Sequence, residues 1–274
     1  MEFGKPTSQK RKQDQDPSSS STPPSESGAK KPKLTVYSRN FEQHLIDHGI
    51  YPVKCRYPGG KRRPLPNNWH DIKKRLARRR PSLSRSRLSN KDFEKFNQAE
   101  DHASNEEQVT TSIIPFLDDD LSVPERYNVS SGHVFGNLAH LTNGTLAKAK
   151  PDRYYGADPR DLDQRIRQEL ISHIIPSTQD TLPMVPNFFL EVKGPNGTPA
   201  VARRQACYDG ALGARGIQTL QSYKDKPIYD NNAYTISSIY LDGGLKLYAT
   251  HITKAEAPDS RPEYVMTELG GWMM

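Results

Sequence analysis

The sequence predicts an α/β (α+β) domain with a small mixed β-sheet flanked by helices. In the run NFFLEVK, residues 187–193, one set of alternate positions is apolar and the other carries Glu191 and Lys193. This pattern predicts a strand of about seven residues that ends at the following Gly-Pro turn. Two more alternating runs, AYTISSIYL and LKLYATHI, flank residues 242–244 (DGG) and predict a β-hairpin.

Helices are predicted before and after the NFFLEVK strand. Asp158, followed by proline, caps a helix that Pro176 stops. Apolar residues recur in it every four positions, at Leu162, Ile166, Leu170 and Ile174. Thr198 caps the second helix before Pro199. Glycines at 210, 213 and 216 are expected to permit close packing on the sheet or to end that helix.

Further helices are predicted upstream. Ser38 caps a short helix that Gly49 ends, and Asn68 caps a second one. Asn90 opens a longer helical region. Residues 115–150 are expected to be loop-like.

Composition limits the class of protein. Only 34% of the residues are hydrophobic and the mean hydropathy is -0.83, so part of the chain is expected to be disordered. No apolar run approaches the roughly 20 residues of a membrane span, so we expect a soluble intracellular protein without a membrane partner. The two cysteines, Cys55 and Cys207, form no CxxC pair, which argues against a zinc ribbon or disulfide scaffold.

Charge divides the chain into three predicted parts. Residues 1–35 are a disordered basic tail, in which clusters at 10–12 (KRK) and 30–33 (KKPK) resemble nuclear-import signals. They predict a nuclear location and contact with the import machinery. Residues 36–91 form a basic helical arm, and residues 92–274 form the main domain. Residues 1–91 carry 22 Lys and Arg against 7 Asp and Glu, and the remainder carries 17 against 25, which suggests that the basic part meets a polyanion.

The nucleic-acid-binding residues are expected in this arm. Clustered Lys and Arg without interleaved aromatic residues favour contact with the phosphate backbone over reading of bases, although a solvated linker accounts for such clusters equally well. The candidate residues are Lys73, Lys74, Arg78, Arg79, Arg80, Arg85 and Arg87.

Glu191 and Lys193 could carry metal-dependent chemistry. Hydrolysis of a phosphodiester needs a positioned water and a hard cation, and Mg²⁺ is usually held by one or two carboxylates plus substrate phosphate. A nearby lysine can orient or deprotonate the water and stabilise developing charge. Because Glu191 and Lys193 share a strand face, they could supply one carboxylate and the lysine.

The second carboxylate is expected at the end of a neighbouring strand. Asp152, in AKPDRYYGA, is the first candidate, and the helix from Asp158 accounts for most of its separation from Glu191. On spacing alone Asp161, Asp163 and Asp180 compete with it.

These residues carry a resemblance to known proteins. PDRYYGA followed by FFLEVKG resembles the PD-(D/E)XK nuclease superfamily. The region from about Tyr37 onward is similar to an uncharacterised family of fungal proteins. That similarity lies in FEQHLIDHGIYP, RRRPSLSRSRLS, AKPDRYYGA, PNFFLEVKGPNG, RRQACYDGALGARG and YDNNAYTISSIYLDGGLKLYATH.

The resemblance implies a restriction-endonuclease-like α-β-β-β-α-β core. It implies Mg²⁺ (or Mn²⁺) bound by Asp152 and Glu191, with Lys193 as the catalytic lysine. It also implies accessory residues: a glutamate from the helix before the sheet, for which Glu106 and Glu107 are the candidates, and Gln205 from the following helix.

The predicted function is therefore metal-dependent hydrolysis of DNA or RNA in the nucleus. The alternative is a protein of the same fold that binds nucleic acid or a protein partner in the nucleus without cutting. The sequence does not indicate an oligomeric state.

Overall fold

The computed structural model describes residues 33–78, 89–118, 128–179, 181–254 and 261–274. The strands are β1 (Ile50–Tyr51), β2 (Asn128–Ser131), β3 (Arg153–Ala157), β4 (Met184–Lys193), β5 (Ala233–Leu241), β6 (Gly244–Thr253) and β7 (Glu263–Met273). The α-helices are α1 (Phe41–Asp47), α2 (Trp69–Leu76), α3 (Asn90–His102), α4 (Glu106–Gln108), α5 (Ile114–Asp118), α6 (Gln164–Glu169), α7 (Ile171–Ile174) and α8 (Pro199–Gln221). A π-helical segment (Val109–Ile113) follows α4, and a 3₁₀ turn (Pro159–Asp161) precedes α6.

The strands form one seven-stranded sheet in the order β1-β7-β6-β5-β4-β3-β2. β4 is parallel to β5, and β1 is parallel to β7, whereas the other neighbours are antiparallel. α8 makes the crossover that two adjacent parallel strands require. The predicted mixed sheet flanked by helices is confirmed, and it is larger than the small sheet expected.

β4 has two faces that are both buried. Leu190 and Val192 pack with α3 and with the π-helical segment that follows α4. Phe189 packs on the opposite face with α8, through residues such as Ala206. The predicted alternation is therefore confirmed, and the strand is ten residues long because it begins at Met184.

α8 approaches the sheet closely because it carries glycines at the contact. A Cβ on Gly210 would lie 2.5 Å from Thr250 Oγ1, and one on Gly213 would lie 2.6 Å from the carbonyl oxygen of Pro186. Any larger residue would push the helix away from the sheet. Of the two roles predicted for these glycines, close packing is confirmed, and the helix continues past them.

The prediction of one continuous helix from Asp158 to Pro176 is wrong, because the structure divides this segment into a 3₁₀ turn, α6 and α7. Asp158 does cap the 3₁₀ turn, but Leu162 is extended, with φ -121° and ψ 137°. The side chain of Asp163 then accepts hydrogen bonds from the backbone of Arg165 and Ile166. A new cap inside the apolar pattern therefore starts α6 afresh.

Three upstream predictions also change. Asn40, and not Ser38, is the N-cap residue of α1, and Ser38 Oγ instead accepts a 3.0 Å hydrogen bond from the backbone N–H of Thr35. The side chain of Asn68, expected to cap α2, instead exchanges two 2.9 Å hydrogen bonds with the backbone of Ala233. The segment 115–150, which was predicted to be a loop, contains residues 115–118 of α5 and the strand β2. Among the described residues β2 pairs only with β3, at the edge of the sheet, and its NVSS sequence lacks the apolar alternation of a buried strand.

Residues 33–274 form one compact unit. The described part of the predicted basic arm, 36–91, belongs to this unit, since β1 pairs with β7 and α2 packs against β5, β6 and β7 residues such as Leu269. Of the tail predicted for residues 1–35, residues 1–32 lie outside the described part of the chain. Arg79, Arg80, Arg85, Arg87 and Asp180 also lie outside it.

Candidate active site at the end of β4

Asp152, the residue immediately before β3, lies beside Glu191 of the neighbouring strand β4. β3 begins immediately after Asp152 and runs antiparallel to β4, with Arg153 opposite Leu190. The backbone N–H of Val192 donates a 2.7 Å hydrogen bond to Asp152 Oδ2. This bond fixes the Asp152 carboxylate at the strand end that carries Lys193.

Lys193 lies at the centre of this group. Its Nζ is 3.6 Å from Asp152 Oδ2 and 3.6 Å from Glu191 Oε2. It donates a 2.7 Å hydrogen bond to the carbonyl of Val192 and a 3.2 Å hydrogen bond to Glu106 Oε2. The Lys193 side chain is only 5% exposed, so these partners replace its hydration.

Glu106 reaches the site because Gly194 allows the backbone after β4 to approach the backbone at the start of α4 closely. A Cβ on Gly194 would lie 2.8 Å from the backbone of Asn105 and Glu106. Asn105 caps α4 by accepting from Gln108 N. Of the two predicted glutamates, the structure brings Glu106 to Lys193, whereas the Glu107 side chain is exposed and is not a partner of that lysine among the described residues.

Asp209 is a further carboxylate that the sequence prediction missed. It lies on the sheet-facing side of α8, is 2% exposed, and shares a hydrogen bond with Glu191. Apart from that contact with Asp209, neither carboxyl oxygen of Glu191 has a hydrogen-bond partner among the described residues. The spacing of Ala202, Ala206 and Gly213 in α8 could have indicated that Asp209 faces the sheet.

Burial and like charge shift the pKa values of both acids. Burial, then the charges of Asp209 and Asp152, raise the pKa of Glu191 well above its ordinary range. Burial raises the pKa of Asp209 to about 7, with Asp152 adding to the shift, while the hydrogen bond with Glu191 and the charge of Lys193 oppose it. The two carboxyl groups therefore retain a proton to a higher pH than isolated acids do.

The pKa of Lys193 moves upward. Burial alone would lower it, but the charges of Asp152, Glu191 and Glu106 together outweigh burial. Lys193 is therefore an ammonium ion at neutral pH. Within the described residues, four carboxyl groups and one lysine make this cluster.

The other candidate residues are not partners of Lys193 in the described part of the chain. Gln205 is half-buried in α8, and its Oε1 has no hydrogen-bond partner among the described residues. Asp163 caps α6, and Asp161 is exposed in the 3₁₀ turn. Neither aspartate is a partner of Lys193 in the described part of the chain.

The basic helix α2 begins near the opposite end of the sheet. Its cap residue Asn68 binds Ala233, the first residue of β5, whereas Lys193 pairs with Leu241, the last. Lys73 Nζ donates a 2.5 Å hydrogen bond to the carbonyl of Leu269. Lys74 and Arg78 are exposed. α2 and the carboxylate cluster thus occupy different parts of the surface.

Comparison with known proteins assigns no family, because no family model matches the chain and no curated protein matches it. Among the described residues, no helix is long and apolar enough to cross a membrane. Function is therefore inferred from the site itself.

Proposed function

We propose that this protein is a Mg²⁺-dependent nuclease of the PD-(D/E)XK type, which hydrolyses phosphodiesters in DNA or RNA. The observation that carries the proposal is the contact of Lys193 Nζ with both Asp152 and Glu191, at 3.6 Å each. Two carboxylates and an ammonium ion then face one position at the end of β4. That combination suits a phosphate, a hard cation and an attacking water.

The order of elements supports a restriction-endonuclease-like core. α3 to α5 come first, followed by the antiparallel strands β2, β3 and β4, then α8, and then β5 parallel to β4. This order is compatible with the α-β-β-β-α-β sequence that the resemblance implies, with α6 and α7 as an insertion between β3 and β4. β1, β6 and β7 extend the sheet beyond it.

The residues of the site suit a divalent cation. Among the described residues, no group of three or more His, Cys, Asp or Glu side chains is arranged to hold a metal ion. Asp152 and Glu191 would therefore act as a pair, which is the number of carboxylates by which Mg²⁺ is commonly held. The excess of carboxylates over the single lysine, and the lack of donors to Glu191, are the features that a cation would compensate.

The protein residues would divide the chemistry among them. Bound Mg²⁺ (or Mn²⁺) would supply Lewis-acid stabilisation of charge on the phosphate. Lys193, held as an ammonium ion by its carboxylate partners, would orient the attacking water and stabilise the charge that develops on the phosphate. Glu106 would hold the lysine in place from α4, and Asp209 would orient Glu191.

We propose nucleic acid as the partner and the nucleus as the location, on the strength of the charge pattern in the sequence. The exposed Lys74 and Arg78 of α2 could hold phosphate groups away from the cutting site. Affinity for a duplex would then fall with salt at a log–log slope near -0.9 per phosphate neutralised.

A metal-dependence assay tests the proposal. Purified protein is incubated with labelled DNA and RNA in Mg²⁺, in Mn²⁺ and in EDTA, beside the variants Glu191→Ala and Glu268→Ala. Glu268 is an exposed glutamate on β7 and serves as the matched control. Cleavage should require the metal and be lost only in Glu191→Ala. Cleavage that persists in EDTA or in Glu191→Ala would contradict the proposal.

A second candidate is a nuclease-fold protein that binds nucleic acid without cutting it. The observation in its favour is that Lys193 already has three carboxylate partners and a backbone acceptor. In that case the same incubation would show retarded migration of the nucleic acid and no cleavage with either metal.

A further inference from the structure

A second polar pair, Ser130 and His133, lies on the same sheet face as Glu191. Directly opposed residues of antiparallel strands share a face. Ser130 is opposite Tyr154, and Tyr154 is opposite Phe189. Because Phe189 and Glu191 are two positions apart in β4, the side chains of Ser130 and Glu191 project from one face.

The segment that carries His133 is fixed beside Asp152. The backbone N–H of Gly132 donates to the carbonyl of Asp152 at 3.1 Å, and that of Phe135 donates to the carbonyl of Ala149 at 2.8 Å. His133 lies between these two contacts. His133 is partly exposed.

Ser130 orients the imidazole ring. Ser130 Oγ lies 2.7 Å from His133 Nδ1 and is itself in a residue only 7% exposed. When the serine hydroxyl donates to Nδ1, Nε2–H is left as a donor.

We propose that His133 is a substrate-binding residue whose Nε2–H donates to a phosphate oxygen of the nucleic-acid strand beside the phosphate at Asp152. The inference rests on the proposed function and adds a contact to it. A donor is needed there, because the carboxylates of Asp152, Glu191 and Asp209 repel a polyanion and Lys193 is already held by them.

Binding and cleavage are measured separately to test this. Binding of a labelled oligonucleotide is followed by anisotropy in Ca²⁺, and cleavage is followed in Mg²⁺. His133→Ala should weaken binding at least tenfold, as expected for loss of a hydrogen bond to a charged group. His133→Gln, which keeps an N–H donor, should recover part of the affinity, and Ser130→Ala should lose less than His133→Ala. The control His48→Ala, at the end of α1, should bind as the wild type does.

The outcomes separate this inference from the proposed function. If the wild type and His48→Ala bind and His133→Ala binds at least tenfold more weakly, the inference holds whether or not Mg²⁺ supports cleavage. If the wild type cuts and His133→Ala binds and cuts equally well, the inference is wrong while the proposed function stands. If the wild type neither binds nor cuts, both are wrong. Equal thermal stability of His133→Ala and the wild type excludes misfolding as the cause of weak binding.

Discussion

The two faces of β4 are equally buried, yet they carry opposite chemistry. Leu190 and Val192 are 6% and 1% exposed, whereas Glu191 and Lys193 are 1% and 4% exposed. Burying the apolar face stabilises the fold by removing it from water. Burying charged groups costs free energy unless partners compensate them. Stability therefore accounts for the apolar face but not for the charges on the other, which is the difference that the proposed function would explain.

The largest expected effect is on the charged face. Lys193→Met removes the ammonium ion that contacts Asp152 and Glu191, so cleavage should fall by about a hundred- to ten-thousandfold. Initial cleavage rates in Mg²⁺ measure the loss. Lys246→Met, at an exposed lysine of β6, is the control. A Lys193→Met rate within threefold of the wild type would show that the charged face does not carry the chemistry.

The next effect concerns the apolar face. Leu190→Ala removes a side chain buried against α3 and the π-helical segment, so the free energy of unfolding should fall by about 2–5 kcal/mol. The requirement for Mg²⁺ should be unchanged in the protein that remains folded. Urea unfolding gives the first quantity and a metal titration of cleavage gives the second. A changed metal requirement would mean that the two faces are not independent.

In the absence of metal, the stability of the protein should depend on pH because of Asp209, which packs against the charged face of β4. The pKa of Asp209 is raised from 3.8 to about 7, so its stabilising contribution is fully present below pH 3.8 and is lost as the pH rises through about 7. One pKa unit corresponds to about 1.4 kcal/mol, so at most about 4 kcal/mol is involved. In EDTA, the wild type should become less stable between pH 5 and 8, and Asp209→Asn should show a flatter profile. Identical profiles would refute this assignment.

The smallest expected effect is the difference between substitutions of two adjacent glutamates, Glu106 and Glu107. Glu106→Gln weakens a 3.2 Å contact with Lys193 in a side chain that is 48% exposed, so stability should change by less than about 1 kcal/mol. Cleavage should fall a few-fold, because Lys193 loses one of its partners. Glu107→Gln should change neither the unfolding curve nor the rate. Equal effects of the two substitutions would show that Glu106 has no special role.

Much of the framework could be predicted locally. Alternation defined the faces of β4, and the residues at 242–244 defined the hairpin between β5 and β6, in which Asp242 and Gly243 have positive φ values of 50° and 66°. Proximity of Asp152 to Glu191 could be expected because adjacent strand ends meet at one edge of a sheet.

Other features depended on distant packing. Asp209 was missed because a carboxylate in the middle of a helix is normally solvated, and only the sheet above α8 makes it a partner of Glu191. Asn68 was predicted as a helix cap, but the backbone of Ala233 competes for its side chain. β2 has too little apolar alternation to be recognised before β3 is placed beside it.

The sequence by itself determined which residues alternate, where chains turn, and that Asp152, Glu191 and Lys193 are candidates for one site. These properties follow from local periodicity and backbone preference, which act over a few residues. Only the tertiary structure decided that the charged face of β4 is buried under α8, that Glu106 and not Glu107 contacts Lys193, and that Asp209 joins the cluster. Burial and pairing arise from groups far apart in the chain, and the electrostatic interactions that they create depend on distance in space.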